Sequence, residues 1–280
     1  MQIHELLDRF ELLYPENEGI SNLRRSVIDK ELSSIFKIVT DNNKEDLRKL
    51  VLEQNIWKLW PLLEGFVNTQ FVAAFKNFVV NDISINSDCF SRGQLQSKLW
   101  LVNELKKQNV DLGTVFICAG WYGTLATMLF ESGLNVDKIR SFDIDETCVE
   151  IAETFNKPWF TEEWKFKSIT QDIMDIDYNN HTWKCWSTKN NRMSYPITDT
   201  PNTIINTSCE HIKNFTQWYN MIPNGKLVIL QSNDYFGHDE HVNCCIDLDD
   251  FNRQTPMREV IFKDTLDLEK YKRFMKIGYK

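Results

Sequence analysis

Long apolar stretches are missing from this sequence of 280 residues, and so are long runs of basic residues. A membrane-spanning helix needs about 20 consecutive, mostly apolar residues, so the sequence predicts no membrane association. The formal net charge is −8, which opposes binding to a nucleic-acid backbone, because that binding depends on clustered Lys and Arg side chains. We therefore expect neither a membrane nor a nucleic acid as a partner.

Disulfide and zinc-binding patterns are also missing. The seven cysteines are an odd number and form no Cys-x-x-Cys pair, and Cys244 and Cys245 are adjacent. Adjacent cysteines suit neither an unstrained disulfide nor a tetrahedral metal site. The first residues, Met1-Gln-Ile-His-Glu5, lack the charged and apolar pattern of a secretory leader. These absences predict reduced thiols and a cytoplasmic location.

Basic side chains concentrate most near the end of the sequence. Over residues 269–280, Lys and Arg are interleaved with aromatic residues. Charge runs of this kind usually form solvated faces. We therefore predict a solvated terminal helix or strand there, rather than an RNA contact.

The chain has enough apolar side chains for a folded core, with 42% hydrophobic and 12% aromatic residues. Helices are predicted where apolar residues recur three and four positions apart, over residues 3–13, 21–39, 44–52 and 56–80. We therefore predict an N-terminal helical domain, residues 1–88, followed by an α/β domain, residues 89–280. The helical domain cannot bury its apolar faces alone, so we expect a lid, formed especially by the aromatic stretch 57–78, or a homodimer.

A strand–turn–helix unit is the most informative feature of the second domain. The apolar run Thr114-Val-Phe-Ile-Cys118 breaks into a glycine-containing turn, and helical spacing resumes with Leu125 and Met128. Further on, Ser141-Phe-Asp-Ile-Asp145 indicates a second strand that ends on an acid. In open α/β sheets, ligands bind outside the carboxyl ends of the strands, over such turns. Asp143 is therefore placed to accept hydrogen bonds from a ribose diol, which predicts an adenosine-type cofactor.

The turn fits two cofactor-binding patterns incompletely. As a dinucleotide fingerprint, Gly-x-Gly-x-x-Gly, the segment Cys118-Ala-Gly120-Trp-Tyr-Gly123 keeps only the second and third glycines. It also resembles the first motif of class I methyltransferases that use S-adenosyl-L-methionine (SAM), acid-x-Gly-x-Gly-x-Gly. In that comparison Ile117 replaces the acid, Ala119 and Trp121 replace the first two glycines, and Gly123 is retained.

The downstream sequence favours the methyltransferase resemblance, which covers roughly residues 92–236. A third acid-tipped strand ends at Gln171-Asp172-Ile173, and Asn202 to Asn206, with Glu210-His211 beyond it, resembles the family's fourth strand. Residues 221–225, Met-Ile-Pro-Asn-Gly, resemble the turn before the fifth strand. The resemblance implies a Rossmann-like, doubly wound α/β sheet with helices on both faces, and SAM as the cofactor.

The resemblance also implies which residues hold the cofactor. Asp143 would bind the ribose hydroxyls and Asp172 the adenine amino group, with Ile144 and Ile173 on the two faces of the ring. The indole of Trp121 would either stack on the cofactor or cap the helix start against the core. The full predicted set is Ala119, Gly120, Trp121, Gly123, Asp143, Ile144, Asp172, Ile173 and Asn206.

The helix predicted from Ser91 to about Asn109 precedes the first strand. In related folds this helix lies over the methionine end of the cofactor. Gln94, Ser97 or Lys98 is therefore a candidate to bind the cofactor's carboxylate. The alternative is that all three belong to a solvated helix face.

Two further segments have the character of insertions on the strand-tip side. Residues 178–195 have an alternating residue pattern around the Asn-rich turn 189–192, which predicts a β-hairpin. Its Trp183 and Trp186 would either face a substrate or simply pack. Residues 231–243 follow the fifth strand and predict a substrate loop or, alternatively, a solvated turn. His238 and His241 stand three apart there, but a metal site needs a third ligand that the sequence does not show, so no metal is predicted.

We predict an enzyme that transfers the methyl group of SAM to a polar small-molecule or amino-acid-like acceptor, bound by Asn206–His211 and Asn233–Asn243. A general base is needed only if the acceptor must lose a proton. Glu210, His211 and His238 are the candidates, because all should lie near the tips of the fourth and fifth strands. Glu210 and His211 are alternatively structural. The alternative functions are a nucleotide-linked (NAD-type) oxidoreductase and a non-catalytic SAM-fold partner subunit.

Overall fold

A computed structural model describes residues 86–187 and 191–280. The chain divides into two units, residues 1–82 and 83–280. The predicted N-terminal helices lie outside the described residues, so their proposed role as a lid or dimerisation domain stays a prediction. Among the residues that are described, no helix combines the length and the apolar character that crossing a bilayer requires.

The second unit contains six α-helices and eleven strands within its described residues. The helices are α1 (Arg92–Gln108), α2 (Thr124–Glu131), α3 (Cys148–Phe155), α4 (Lys157–Thr161), α5 (Phe215–Met221) and α6 (Leu248–Gln254). The strands are β1 (Gly113–Cys118), β2 (Val136–Asp143), β3 (Phe166–Thr170), β4 (His181–Trp183), β5 (Trp186–Ser187), β6 (Arg192–Met193), β7 (Ile197–Asp199), β8 (Thr203–Asn206), β9 (Leu227–Asn233), β10 (Glu259–Asp267) and β11 (Lys272–Tyr279). Single turns of 3-10 helix cover Ser87–Phe90, Ile173–Asp175 and Cys209–His211.

Seven of the strands form one sheet in the order β10-β11-β9-β8-β1-β2-β3. The five strands from β3 to β9 in that order pair in parallel, whereas β11 pairs antiparallel with both β9 and β10. The chain runs outward from β1 to β3 and then crosses back to β8 on the other side of β1. This is the doubly wound arrangement, so the predicted Rossmann-like fold is confirmed, with β8 and β9 as its fourth and fifth strands.

The central strands are apolar because both of their faces are covered. Every residue of β9 is buried, as is every residue of β8, and β1 is buried from Thr114 to Cys118. Parallel strands in such sheets read as continuous apolar runs rather than as alternating patterns. The core over the sheet includes Phe116, Phe142 and Trp218. A rigid sheet of this kind fixes the strand tips on which the predicted site residues lie.

The helix before β1 has the predicted limits. The Ser91 Oγ accepts a hydrogen bond of 3.4 Å from the Gln94 backbone N–H, which caps the start of α1. Asn109 ends the helix in the left-handed conformation, with a φ of 50°. The basic residues Lys106 and Lys107 lie in its last turn, where their positive charges stabilise the negative end of the helix dipole.

The insertion at residues 178–195 is a hairpin, as predicted. The short strands β5 and β6 pair antiparallel with each other, and β4 and β7 pair antiparallel outside them. Trp183 is buried, and its indole N–H donates a 2.8 Å hydrogen bond to Asp199 Oδ2. Of the two predicted alternatives, Trp183 therefore packs against the protein rather than facing a substrate.

The prediction of a solvated basic terminus is wrong. Residues 272–279 form β11, which lies between β9 and β10 and is buried over most of its length. Its cationic side chains find specific partners: Arg273 pairs with Glu210, and the Lys276 ammonium donates to the Thr255 carbonyl oxygen at 2.5 Å. A basic sequence can therefore form a buried strand, because each buried cation has a hydrogen-bond or ion-pair partner.

Candidate functional site at the carboxyl ends of the parallel strands

The turn between β1 and α2 has alternating left-handed residues. Ala119, Trp121 and Gly123 have φ values of 54°, 47° and 67°. These are the three positions that correspond to glycines in the methyltransferase motif. Left-handed backbone costs a residue with a Cβ roughly 1–2 kcal/mol. The turn therefore keeps the shape of the glycine-rich motif although two of its glycines have been replaced.

Gly120 and Gly123 allow this turn to lie directly against neighbouring elements. A Cβ at Gly120 would overlap the Ser141 Oγ on β2, and one at Gly123 would lie 2.8 Å from the Asn156 Nδ2. The Gly120 N–H donates to the Phe142 carbonyl oxygen at 3.0 Å. Both retained glycines are thus required by close packing, which places the turn beside the tip of β2.

Asp143 ends β2 next to that turn. Its Oδ2 accepts a 2.8 Å hydrogen bond from the Trp121 N–H, and its Oδ1 accepts a 3.1 Å bond from the Asp145 N–H. The side chain is only partly buried, so the carboxylate still faces the opening. The Trp121 ring stacks on Tyr122, with ring centroids 4.6 Å apart. One face of the indole is therefore packed against the protein.

The tip of β3 lies beside Asp143, because the Gln171 N–H donates to the Asp143 carbonyl oxygen at 2.8 Å. Asp172 caps the 3-10 helix that follows, with its Oδ1 accepting a 2.9 Å bond from the Met174 N–H. Ile144 is 73% exposed, whereas Ile173 is 7% exposed and belongs to the core. The structure thus brings Asp143 and Asp172 to the same edge of the sheet. Of the two isoleucines predicted to contact an adenine ring, only Ile144 is accessible.

Asn206 ends β8, across the topological switch point from β1. Its side chain is fully buried, and its Oδ1 accepts a 2.8 Å bond from the Ser208 N–H. The Nδ2 group has no hydrogen-bond partner among the described residues. An unpaired buried donor costs on the order of 1–3 kcal/mol, a cost that a hydrogen-bond acceptor from a ligand would offset.

Glu210 lies at the centre of a buried ion pair. Its Oε1 accepts hydrogen bonds from Arg273 at 2.6 Å and from the Asn233 side-chain amide at 2.8 Å. Arg273 also donates to the Thr207 carbonyl oxygen. This placement favours the structural alternative for Glu210. Sequence reasoning missed Arg273, because the basic run at 269–280 was assigned to solvent.

Three histidines and Tyr235 gather beyond the tips of β8 and β9. The ring centroids of His211 and His241 are 4.7 Å apart, as are those of His238 and His241. Those of Tyr235 and His241 are 5.7 Å apart. Partial burial lowers the pKa of His211. The charge of Glu210 opposes this shift, whereas His241 lowers the pKa further. The fold thus assembles a cluster from two segments that lie far apart in sequence.

The polar residues of α1 are mostly engaged with the protein. The Ser97 Oγ donates to the Gln231 Oε1 at 2.7 Å, and the Lys98 ammonium donates to Gln94. Lys98 is 7% exposed, and burial lowers its pKa to about 8, with Arg273 adding to the effect. The prediction that these residues form a solvated helix face is therefore wrong for Ser97 and Lys98.

A cavity of about 400 Å³ lies at the opposite edge of the sheet. It is lined by the end of α1 and by the segments just before β1 and β2, including Lys106, Asn109, Asp111 and Asn135. None of the predicted site residues lines this cavity. The carboxyl edge is therefore the better candidate, because the switch point, the acids and the unpaired Asn206 amide all lie there.

Comparison with known proteins gives similarity in fold only. No protein-family profile and no curated sequence matches the chain. The N-methyltransferase NodS from Bradyrhizobium japonicum WM9, in complex with S-adenosyl-L-homocysteine, is 11% identical with a TM-score of 0.47, over 68% of this chain and 88% of that chain. The magnesium protoporphyrin IX methyltransferase ChlM from Synechocystis PCC 6803, with bound SAM, is 13% identical with a TM-score of 0.44, over 67% of this chain and 80% of that one. YcgJ from Bacillus subtilis is 10% identical with a TM-score of 0.44, over 66% of this chain and 98% of its own.

Proposed function

We propose that the protein is a SAM-dependent methyltransferase that acts on a polar small-molecule or amino-acid-like acceptor. The observation that carries the proposal is the left-handed turn at residues 119–123, joined to Asp143 by the Trp121 hydrogen bond. In doubly wound sheets this turn is where a nucleotide-like cofactor binds. The backbone alternation supports the methyltransferase motif over the dinucleotide fingerprint, because it falls on the three motif positions.

The residues at the edge of the sheet fit such a cofactor. Asp143 offers carboxylate lone pairs to a ribose diol, and Asp172 offers an acceptor to an amino group. Ile144 offers an open apolar surface, being 73% exposed, and the buried Asn206 Nδ2 offers a donor without a partner. SAM, when bound, supplies a methyl group on a positively charged sulfur. The protein's part is to hold the acceptor in line with that methyl group and to exclude water.

The acceptor is proposed to bind between Asn206–His211 and Asn233–Asn243. The backbone N–H groups of Val242 and Asn243 donate to the Glu210 carbonyl oxygen at 2.9 and 2.8 Å, which joins the two segments. The segments combine imidazole, phenol, amide and carboxylate groups. Such a mixture suits a polar, zwitterionic molecule better than an apolar one, because it can pair with charges of both signs.

His211 and His238 are the proposed general bases, if the acceptor must lose a proton. Both are exposed at the proposed acceptor side. The lowered pKa of His211 keeps its ring neutral near pH 7, the form that accepts a proton. Glu210 stays in the candidate set, but its ion pair with Arg273 suits it to positioning His211 rather than to accepting a proton.

Calorimetry separates this proposal from its alternatives. SAM and S-adenosylhomocysteine should bind the full chain, whereas NAD should not. NAD binding without SAM binding would support the oxidoreductase instead. Incubation with labelled SAM and a panel of amino acids and small amines should then release S-adenosylhomocysteine. SAM binding without transfer to any of these acceptors would favour the non-catalytic partner subunit.

A further inference from the structure

A group of possible metal ligands lies within the histidine cluster beyond β8. Glu210, His211 and His241 each offer one ligand atom, and these atoms lie within 4.8 Å of one another. Two nitrogen or oxygen ligands of one zinc ion are roughly 3.5 Å apart, because each lies about 2 Å from the metal. Small side-chain rotations would close that difference.

Glu210 contributes a buried carboxylate oxygen without a partner. Its side chain is 2% exposed, and its Oε1 is held by Arg273 and Asn233. The other oxygen, Oε2, makes no hydrogen bond among the described residues. A carboxylate oxygen buried without a partner is costly. A bound cation would remove that cost, whereas Arg273 and Asn233 already fix the orientation of the group.

His241 has the orientation of a metal ligand. Its Nδ1 lies 2.8 Å from the Tyr235 carbonyl oxygen. A carbonyl oxygen only accepts hydrogen bonds, so Nδ1 carries the proton and the Nε2 of the neutral ring keeps its lone pair. Metal-binding histidines usually donate their second ring N–H to such an acceptor, which fixes both the tautomer and the ring orientation.

The backbone holds the two ligand segments together. The Glu210 carbonyl oxygen accepts from the N–H groups of Val242 and Asn243, the two residues after His241. The ligands are thus in place without a metal, so little ordering would be needed when one binds.

From these contacts we propose that Glu210, His211 and His241 bind a divalent transition metal of the zinc class. With the metal bound, His211 is a ligand, and His238 alone remains as the proposed general base. Two imidazoles and one carboxylate are a ligand set that zinc accepts, with a further position left for water or another ligand. The sequence predicted no metal because His238 and His241 lacked a visible third ligand. The fold supplies His211 and Glu210 from a segment about thirty residues earlier.

Metal titration of the full chain tests this site. After removal of metals with a chelator, the protein should bind about one equivalent of Zn²⁺ in calorimetry. His211→Asn and His241→Asn should each weaken Zn²⁺ binding at least about tenfold. His238→Asn is the matched control, since its ring belongs to the same cluster but not to the ligand set, and it should bind Zn²⁺ as the parent does. Thermal unfolding of each variant shows whether it is folded.

Three results would overturn the proposal: no Zn²⁺ binding by the parent, unchanged binding in both ligand variants, or an equal loss in His238→Asn. If the ligand variants do not fold, Co²⁺ added to the parent decides. Strong visible absorption, typical of four- or five-coordinate Co²⁺, supports the site, and a weak octahedral spectrum contradicts it. These titrations contain no SAM, so their failure is separate from failure of the proposed methyltransferase function.

Discussion

The Trp121 N–H and the Asp143 Oδ2 are 2.8 Å apart, and this hydrogen bond joins the turn after β1 to the tip of β2. The other carboxylate oxygen accepts from the Asp145 N–H at 3.1 Å. Each oxygen of a carboxylate has two lone pairs, so each keeps one for a ligand hydroxyl. The two bonds orient the carboxylate before a ligand arrives, which reduces the entropy lost on binding.

Asp143→Ala should weaken SAM binding by on the order of 1.5–3 kcal/mol, because charge-assisted hydrogen bonds to the ribose are lost. Calorimetry with S-adenosylhomocysteine measures the effect, and circular dichroism checks the fold. Asp145→Ala is the control, since Asp145 is exposed and bonds mainly to Thr147. An Asp143→Ala protein that is folded and keeps parental affinity would rule out the ribose role, and a loss confined to Asp145→Ala would transfer it there.

Asp172 is expected to accept a hydrogen bond from the adenine amino group. It also caps the 3-10 helix Ile173–Asp175, so Asp172→Ala should cost roughly 0.5–2 kcal/mol of stability whichever role is right. The two roles separate when the amino group is removed from the ligand instead. The parent should bind S-adenosylhomocysteine more tightly than its inosine counterpart, and Asp172→Ala should bind the two equally. If the variant keeps the full preference, Asp172 is only a cap.

The left-handed turn residues predict an unusual stability change. Ala119→Gly should raise the free energy of unfolding by roughly 0.5–1 kcal/mol, because glycine adopts a φ of 54° without strain. Ala126→Gly, the same substitution within α2, should lower it by about 1 kcal/mol. Urea unfolding monitored by tryptophan fluorescence measures both. Destabilisation by both substitutions would mean that Ala119 is not strained.

The sheet and its strand tips were predictable because they depend on local patterns. Apolar runs mark β1, β8 and β9, and a terminal acid marks β2. The sequence did not decide which candidate side chains are buried in the core. Trp183 and Ile173 are two such side chains.

The part of the site that the sequence did not reveal depends on contacts between segments far apart in the chain. Arg273 lies 63 residues after Glu210, yet the two form a buried ion pair. A run of Lys, Arg and aromatic residues is compatible with two structures: a solvated face, or a buried strand in which each cation has its own partner. For the same reason, the approach of His241 to His211 could not be read from spacing, since it depends on how the loop after β9 folds back.

Removing Arg273 should be strongly destabilising, because Glu210 would be left as an uncompensated buried charge. Arg273→Met is expected to cost about 3–5 kcal/mol, and Lys272→Met, at the exposed neighbouring position of β11, less than about 0.5 kcal/mol. Adding Glu210→Met to Arg273→Met should recover part of the loss. Urea unfolding of the parent, of the single variants Arg273→Met and Glu210→Met, and of the double variant gives the coupling free energy. Additive losses would show that the two side chains contribute independently.

His238 and His241 are expected to serve the acceptor rather than the cofactor. Replacing each by Asn, one at a time, should reduce turnover at least about tenfold, because His238 is a proposed general base and the His241 ring stacks on it, with centroids 4.7 Å apart. Asp239→Asn, an exposed change in the same loop, is the control and should keep parental turnover. Release of S-adenosylhomocysteine measures turnover, and calorimetry measures SAM affinity. The affinity should stay within about twofold of the parent, because most of the proposed cofactor residues lie at the tips of β1, β2 and β3. Equal losses of turnover and SAM affinity would mean that the loop supports the cofactor or the fold, and no loss of either would return residues 233–243 to a solvated turn.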